Sequence, residues 1–164
     1  MGYEEPQPVY QQPAATQGMN VVQGGNRNVK NLPSDAKGRE WSHGLCDCCS
    51  DSGTCILALC CPCVIFAQNK KRSDHLTHKG VPDPESGGGF FSQDCFVHGC
   101  LTALTGMGWV LQLGTRSNAR LHYAIKGGAC GDCLVHACCT PCALTQESRE
   151  IELEEQSFGG RFKN

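Results

Sequence analysis

All fourteen cysteines of this 164-residue chain fall between Cys46 and Cys142, and their spacing constrains the fold more than any other feature. Cys55-Ile56-Leu57-Ala58-Leu59-Cys60-Cys61-Pro62-Cys63 places four thiols in nine residues. A second copy follows, where Cys133, Cys138 and Cys139 lead through Thr140 and Pro141 to Cys142, so that both copies contain Cys-x-Pro-Cys. Between them, Asp94-Cys95-Phe96-Val97-His98-Gly99-Cys100 matches Asp132-Cys133-Leu134-Val135-His136-Ala137-Cys138, and the Cys-x4-Cys unit therefore occurs three times. Repetition at this density points to a unit built on cysteine.

A conventional core would be thin, because aromatics make up 7% of the chain and Gly is abundant with 20 residues. A domain so short of buried area needs disulfides, metal or a bilayer to supplement it. Residues 1–40 hold much of the Gln, Asn and Pro and show no hydrophobic period, so they are expected to form a disordered tail. The cysteine-rich domain is expected over 41–155, with a flexible C-terminal tail over 156–164. Met1-Gly2-Tyr3-Glu4-Glu5-Pro6 does not begin a secretory signal, so the thiols are expected to face the cytosol, where disulfides are rare. Pro6 stands where a myristoylation motif needs Ser or Thr. A net charge of -2, a pI near 6.3 and the lack of a basic stripe offer nucleic acid no general attraction. The one basic cluster, Lys70-Lys71-Arg72, reads either as a solvated face or as a contact for anionic headgroups.

The element pattern is mainly α: a small cysteine-rich helical domain with short Cys-rich loops and a central apolar membrane helix. From Thr54 to Ala67 the chain is apolar apart from its thiols, but its 14 residues would rise only about 21 Å as a helix. Pro62 interrupts that stretch and is expected to open a helix running to Arg72, which makes the segment interfacial, re-entrant or buried. Asn69 to Asp94, with Pro82, Pro84 and Ser86-Gly87-Gly88-Gly89, is expected to be a mobile connection; Phe90-Phe91 after the Gly run rules against a phosphate-cradling loop. Phe96 to Gly114 is the longest uncharged run, and its 19 residues would span about 28 Å as one helix. Gly99 with Ala103 and Thr102 with Gly106 have the spacing of close-packed membrane helices; a soluble helix against the cysteine units is the other reading. A further helix is expected over Arg116 to Lys126, with Leu121 and Ile125 on one face and Gly127 as its stop. Thr140 is expected to cap a last helix that Pro141 begins and that runs to Glu155, its dense charge mostly facing water.

Zinc is commonly held by Cys-x2-Cys pairs, and three are present: Cys60 with Cys63, Cys130 with Cys133, and Cys139 with Cys142. Cys55 and Cys61, and the loop thiols Cys46, Cys48 and Cys49, add ligands. Thiolate softness favours zinc, cadmium or copper(I) over magnesium or calcium, so zinc is the expected cofactor and a soft divalent ion the expected partner. His98 and His136 stand three residues after Cys95 and Cys133 and could complete a Cys/His site, or simply be satisfied by backbone carbonyls. Cys-x-Pro-Cys also resembles a dithiol redox motif, although no βαβ pattern carries it; Cys48 and Cys49 are open to acylation. Nothing singles out one Cys/His pair as a nucleophile and base, and no enzymatic activity is expected.

These residues resemble the placenta-specific-eight family of cysteine-rich proteins, which includes plant cadmium-resistance proteins and fruit-weight or cell-number regulators. The likeness runs from Trp41 to about Leu153: Trp41-Ser42, Gly44-Leu45-Cys46-Asp47-Cys48, Asp51, Cys55 to Cys63 with Ile56 in place of Leu, Arg120 to Ile125, Asp132-Cys133-Leu134, Cys142 to Glu147, and Arg149-Glu150. The resemblance implies plasma-membrane association and heavy-metal handling, with the family's metal-linked signature on Cys55, Cys61, Pro62 and Cys63. It equally allows a non-transporting regulatory module whose cysteines hold structural zinc or are acylated. Transport through one thin helix would require a homo-oligomer. The domain boundary is checked by limited proteolysis: cleavage should remove the first 38 residues while the cysteine region stays intact, and early cuts between Cys95 and Gly114 would contradict the expected domain.

Overall fold

Asp51 opens the first helix, its Oδ1 accepting the Thr54 N–H at 3.2 Å. Helix α1 (Ser52–Cys60) follows a 3-10 segment, Leu45–Asp51, that carries Cys46, Cys48 and Cys49. The computed structural model describes residues 25–159. The disordered tail expected at the N-terminus lies outside the described residues as far as residue 24, and the C-terminal tail does so from residue 160.

A residue before proline is pushed out of the helical region, and Cys61 accordingly adopts φ -138° and ψ 68°. Its N–H still donates to Leu57 O at 2.7 Å, closing α1, while Pro62 begins helix α2 (Pro62–Asp74) as expected. The chain turns by 116° at this point. Helix α2 continues through a π-helical turn, His75–Lys79, so the connection expected from Asn69 begins only at Gly80.

The run from Phe96 to Gly114 is not one helix, which corrects the expected central membrane helix. Helix α3 (Gln93–Thr105) starts on Ser92, whose Oγ accepts the Cys95 N–H at 3.2 Å, and ends where Gly106 takes φ +70° and donates to Thr102 O at 2.9 Å. Helix α4 (Trp109–His122) starts afresh. Left-handed backbone is cheap only for glycine, so Gly106, read as a packing residue, is a helix stop. The 13 residues of α3 rise about 20 Å, well short of a bilayer core of about 30 Å. Among the described residues no single helix is long and apolar enough to cross a membrane.

Helix α4 also ends earlier than expected, at His122 rather than Lys126. The competing partner is a hairpin of β1 (Ser34–Asp35) and β2 (Gly38–Arg39): the Arg39 N–H donates to Ala124 O, and the Lys126 N–H to Arg39 O, both at 2.8 Å. Ile125 thereby pairs with Arg39 in a parallel bridge while Leu121 stays exposed. Packed structure thus reaches ahead of the Trp41 boundary, since Arg39 is buried.

Helix α5 (Ala129–Ser157) begins eleven residues before Thr140, and the third Cys-x4-Cys unit rides on its first half. The helix breaks at Cys139, with φ -148° and ψ 75°, close to the conformation of Cys61. Both breaks fall on the second residue of a Cys-Cys pair, Cys61 directly before Pro62 and Cys139 two residues before Pro141. α1, α2 and α4 all pack on α5. The apolar core is small, with Leu76, Ala119, Tyr123, Ile125, Ile151 and Phe158 in one cluster and Ala58, Ile65, Phe66 and Leu144 in another. Phe158 lies past Gln156, so the last helix packs further than expected.

Two glycines separate conformational strain from steric conflict. Gly106 has open space around a would-be Cβ, so Gly106→Ala should cost only the left-handed penalty of about 1 kcal/mol, a few degrees in the thermal midpoint. Gly38 combines φ +113° with a would-be Cβ 2.4 Å from Ala124 O, and Gly38→Ala should lower the midpoint further; the opposite order would contradict this account of the hairpin.

Candidate functional site

Helix α5 was expected to turn its charges to water, but its core-facing stripe is acidic. Glu147, Glu150 and Glu154 alternate with Leu144 and Ile151 at helical spacing, and all five are buried. Each carboxylate meets a basic group from another element. Arg116 on α4, 3% exposed, places Nη1 3.2 Å from Glu147 Oε1, Nε 3.0 Å from Asp132 Oδ1, and donates Nη2 to Gln146 Oε1 at 2.8 Å. Arg120 shares Asp132, and the Trp41 ring lies 4.3 Å from the Arg116 guanidinium carbon. Arg39 of β2 donates Nη2 to Glu150 Oε1 at 2.6 Å. His122 meets Glu154 at 2.8 Å, and Arg72 of α2 grips Glu155 through Nε and Nη2. Burial beside Glu154 pushes the Tyr123 phenol above its ordinary range.

These ties place the thiols. Gln146 donates Nε2 to His43 O and Arg149 donates Nη1 to Asp47 O, both at 2.8 Å, while the Ser42 N–H donates to Glu150 Oε2 at 2.9 Å. The strand of chain from Ser42 to Asp47 is thus latched along α5, and Cys48 arrives 3.7 Å, Sγ to Sγ, from Cys142, 94 residues away in sequence. Cys142 is itself joined to Cys139 in a disulfide, with Cα atoms 5.4 Å apart, so this expected ligand pair is oxidised in the structure. Cys63 on α2 packs against Cys95 on α3. Burial and a hydrogen bond with Cys63 push the Cys95 thiol up to about 11, leaving it protonated at neutral pH.

The remaining thiols do not converge. Cys55 and Cys133 are half-buried, while Cys46, Cys49, Cys60, Cys61, Cys130 and Cys138 are exposed. Among the described residues no three His, Cys, Asp or Glu side chains are grouped so as to hold a metal ion. His98 lies inside, its Nε2 2.8 Å from Gln112 Nε2, and burial lowers its pKa, so the neutral ring accepts from the amide. His136 is buried beside Glu147 at 3.4 Å. Neither histidine is brought to a cysteine pair as a ligand set. The basic cluster is committed internally, with Lys70 on Asp94, Lys71 on Glu85 and Arg72 on Glu155.

Sequence reasoning missed the Cys63–Cys95 contact and the whole ion-pair frame. The signal for the frame was present in the i, i+3, i+7 spacing of Glu147, Glu150 and Glu154 among Leu144 and Ile151. Carboxylates are rarely buried without partners, and those partners lie far away in sequence.

A kinked, acid-cored α5 crossed by a kinked α1–α2 pair, with thiols at both kinks, defines a helical cysteine-rich protein. Residues 41–150 match the PLAC8 family, and the chain belongs to it. It is 38% identical over 117 residues to Protein PLANT CADMIUM RESISTANCE 1 of Arabidopsis thaliana, covering 69% of this chain and 68% of that protein. Over 113 residues it is 37% identical to Cell number regulator 11 of Zea mays, covering 69% of this chain and 63% of that protein. Cell number regulator 1 of Zea mays is 40% identical over 114 residues, or 70% and 54% of the two chains. No solved structure matches the chain.

Arg116→Met would leave the Glu147 carboxylate without its arginine in the interior, while Asp132 keeps Arg120, and should destabilise the fold by about 3–5 kcal/mol. Adding Glu147→Gln should recover part of that loss in thermal or denaturant unfolding; strict additivity would show that the two side chains do not interact.

Proposed function

We propose that this protein handles a soft divalent metal ion, zinc or cadmium, at a membrane, through cysteine thiolates on the segments that carry two helix breaks. The observation that carries the reading is the coincidence of thiols, helix breaks and uncharged surface. Residues 52–69, 95–115 and 133–146 contain no Lys, Arg, Asp or Glu, and within them lie the breaks at Cys61 and Cys139 and ten of the fourteen cysteines. Exposed Ile56 and Leu59 on α1, Phe96 and Leu104 on α3, Met107, and Leu134 on α5 belong to the same segments. Leu59, Pro62, Thr102, Trp109 and Pro141 line one open cavity, so the three segments meet.

Apolar surface of this kind, on helices too short to span, suits a domain that lies in the interface or enters it by a bent re-entrant pair. The plasma membrane with the thiols toward the cytosol is the location that suits the twelve free cysteines. Thiolates select soft ions over magnesium and calcium, and binding releases their protons. Self-association would supply what one short helix lacks. Gly99 and Gly106 have open space where a partner helix could approach. The activity is binding and relay, not catalysis, and nucleic acid has no part in it.

A second reading is supported by relatives named for cell number: a regulatory module in which the same cysteines hold structural zinc or are acylated. Elemental analysis of the purified chain under reducing conditions, followed by cadmium uptake and tolerance in cells expressing wild type or Cys61→Ser/Cys63→Ser, separates the two. Metal handling predicts bound metal, raised tolerance with wild type, and loss of that tolerance in the variant. Bound metal with unchanged flux and tolerance would favour the module, and a metal-free protein would overturn both metal readings.

A further inference from the structure

Cys48 and the Cys139–Cys142 disulfide come from two elements that nothing in the local sequence brings together, and they meet where α5 breaks. We infer that these three cysteines form a thiol–disulfide exchange centre, in which Cys48 attacks Cys142 and releases Cys139. The exchange needs no metal ion and goes beyond the reading above.

Contact selects the reacting sulfurs. Cys48 Sγ stands 3.7 Å from Cys142 Sγ. A near-attack pair stands about 3–3.5 Å apart, so a small movement brings the thiol onto the disulfide. Cys46 and Cys49 ride on the same 3-10 segment but are exposed, and Cys48 is the one of the three that is half-buried. Its place is held from outside the sulfurs: Arg149 Nη1 donates to Asp47 O and Gln146 Nε2 to His43 O, both at 2.8 Å. Both donors lie beyond the break on α5, as does Cys142, so the attacking and the attacked sulfur are tied to the same length of helix. Cys139 carries the non-helical backbone of the break, where the second half of α5 begins. The positive end of that half favours a sulfur that leaves as an anion.

The step balances without an outside oxidant or reductant. Cys48 gives its thiol proton to solvent, and the thiolate bonds to Cys142 Sγ. The Cys139–Cys142 bond breaks, and Cys139 leaves with the electron pair and takes up a proton. One disulfide and one thiol enter the step, and one of each leaves it. What changes is the reach of the cross-link. Cys139–Cys142 joins residues three apart within one helix, whereas Cys48–Cys142 joins residues 94 apart and pins the chain from Ser42 to Asp47 onto α5. The longer closed loop restricts the unfolded chain more. Cys139 is meanwhile left at the break as a free, half-buried thiol, open to modification.

The test uses the full chain, reduced, re-oxidised with oxidised glutathione and freed of it. Iodoacetamide is added, the reaction is quenched in acid, and a non-reduced digest is read by tandem mass spectrometry. In wild type, alkylated Cys139 should appear together with a Cys48–Cys142 cross-link. In Cys48→Ser that label should be lost, because Cys139 stays tied to Cys142. Cys49→Ser, which removes the adjacent exposed thiol, should leave the label unchanged. Cys139→Ser supplies a second measurement, with circular dichroism as its check on folding. There oxidised glutathione should first cap Cys142, and Cys48 should then displace the glutathione to give the Cys48–Cys142 link. The linked variant should melt at a higher temperature than the same variant reduced. Equal labelling of Cys139 with and without Cys48, or a Cys142–glutathione adduct that persists in folded Cys139→Ser, overturns the inference. No metal enters either measurement, so failure here leaves the soft-metal reading standing.

Discussion

The acidic stripe on the inner face of α5 is the constraint on which the other elements depend. A buried carboxylate is tolerable only when a cation and further donors meet it, so Glu147, Glu150 and Glu154 each dictate a partner: Arg116 from α4, Arg39 from the hairpin, His122 from the end of α4. Arg72 fixes α2 to the same helix through Glu155. A core with few large apolar residues gains modest energy from burial, and ion pairs of this kind add little net stability over an apolar core of equal volume. They do specify registry, because a helix slipped by one turn would leave both a carboxylate and a guanidinium unpaired.

That registry positions the chemistry. The residues bonded to the chain from Ser42 to Asp47 are neighbours of the ion-pair frame on α5, so the frame that holds the helices together also sets Cys48 beside Cys142. The position of that sulfur pair and the docking of the N-terminal loop are therefore coupled through α5. The break at Cys139 contributes as well, since a straight helix would not present the Cys-x2-Cys pair at a free first turn.

The uncharged half of the molecule follows a different rule. Its helices are short because backbone punctuation interrupts each apolar run: proline after Cys61, a left-handed glycine at 106, a non-helical cysteine at 139. The result is apolar surface without a spanning helix. Ten of the fourteen thiols, exposed Leu59, Leu104 and Leu134, and the breaks at Cys61, Gly106 and Cys139 are collected in the same three segments, which carry no Lys, Arg, Asp or Glu.

Sequence alone determined what local backbone chemistry dictates. Proline 62 required a break and a new helix, the cysteine repeats defined the unit, and the motifs from Trp41 onward carried the family. Local rules also misjudged what depends on distant partners. Phe96 to Gly114 has the composition of one helix, and only the fold shows that Gly106 is left-handed there; Ile125 continues a helical pattern but is drawn into a bridge by Arg39. The charges of α5 look solvent-facing until arginines up to 111 residues away are brought to them. The pairing of thiols belongs to the same class. Spacing nominated Cys139 with Cys142, but the addition of Cys48 across 94 residues was decided by tertiary structure, because a sulfur's neighbours are set by how helices cross and not by the order of residues along the chain.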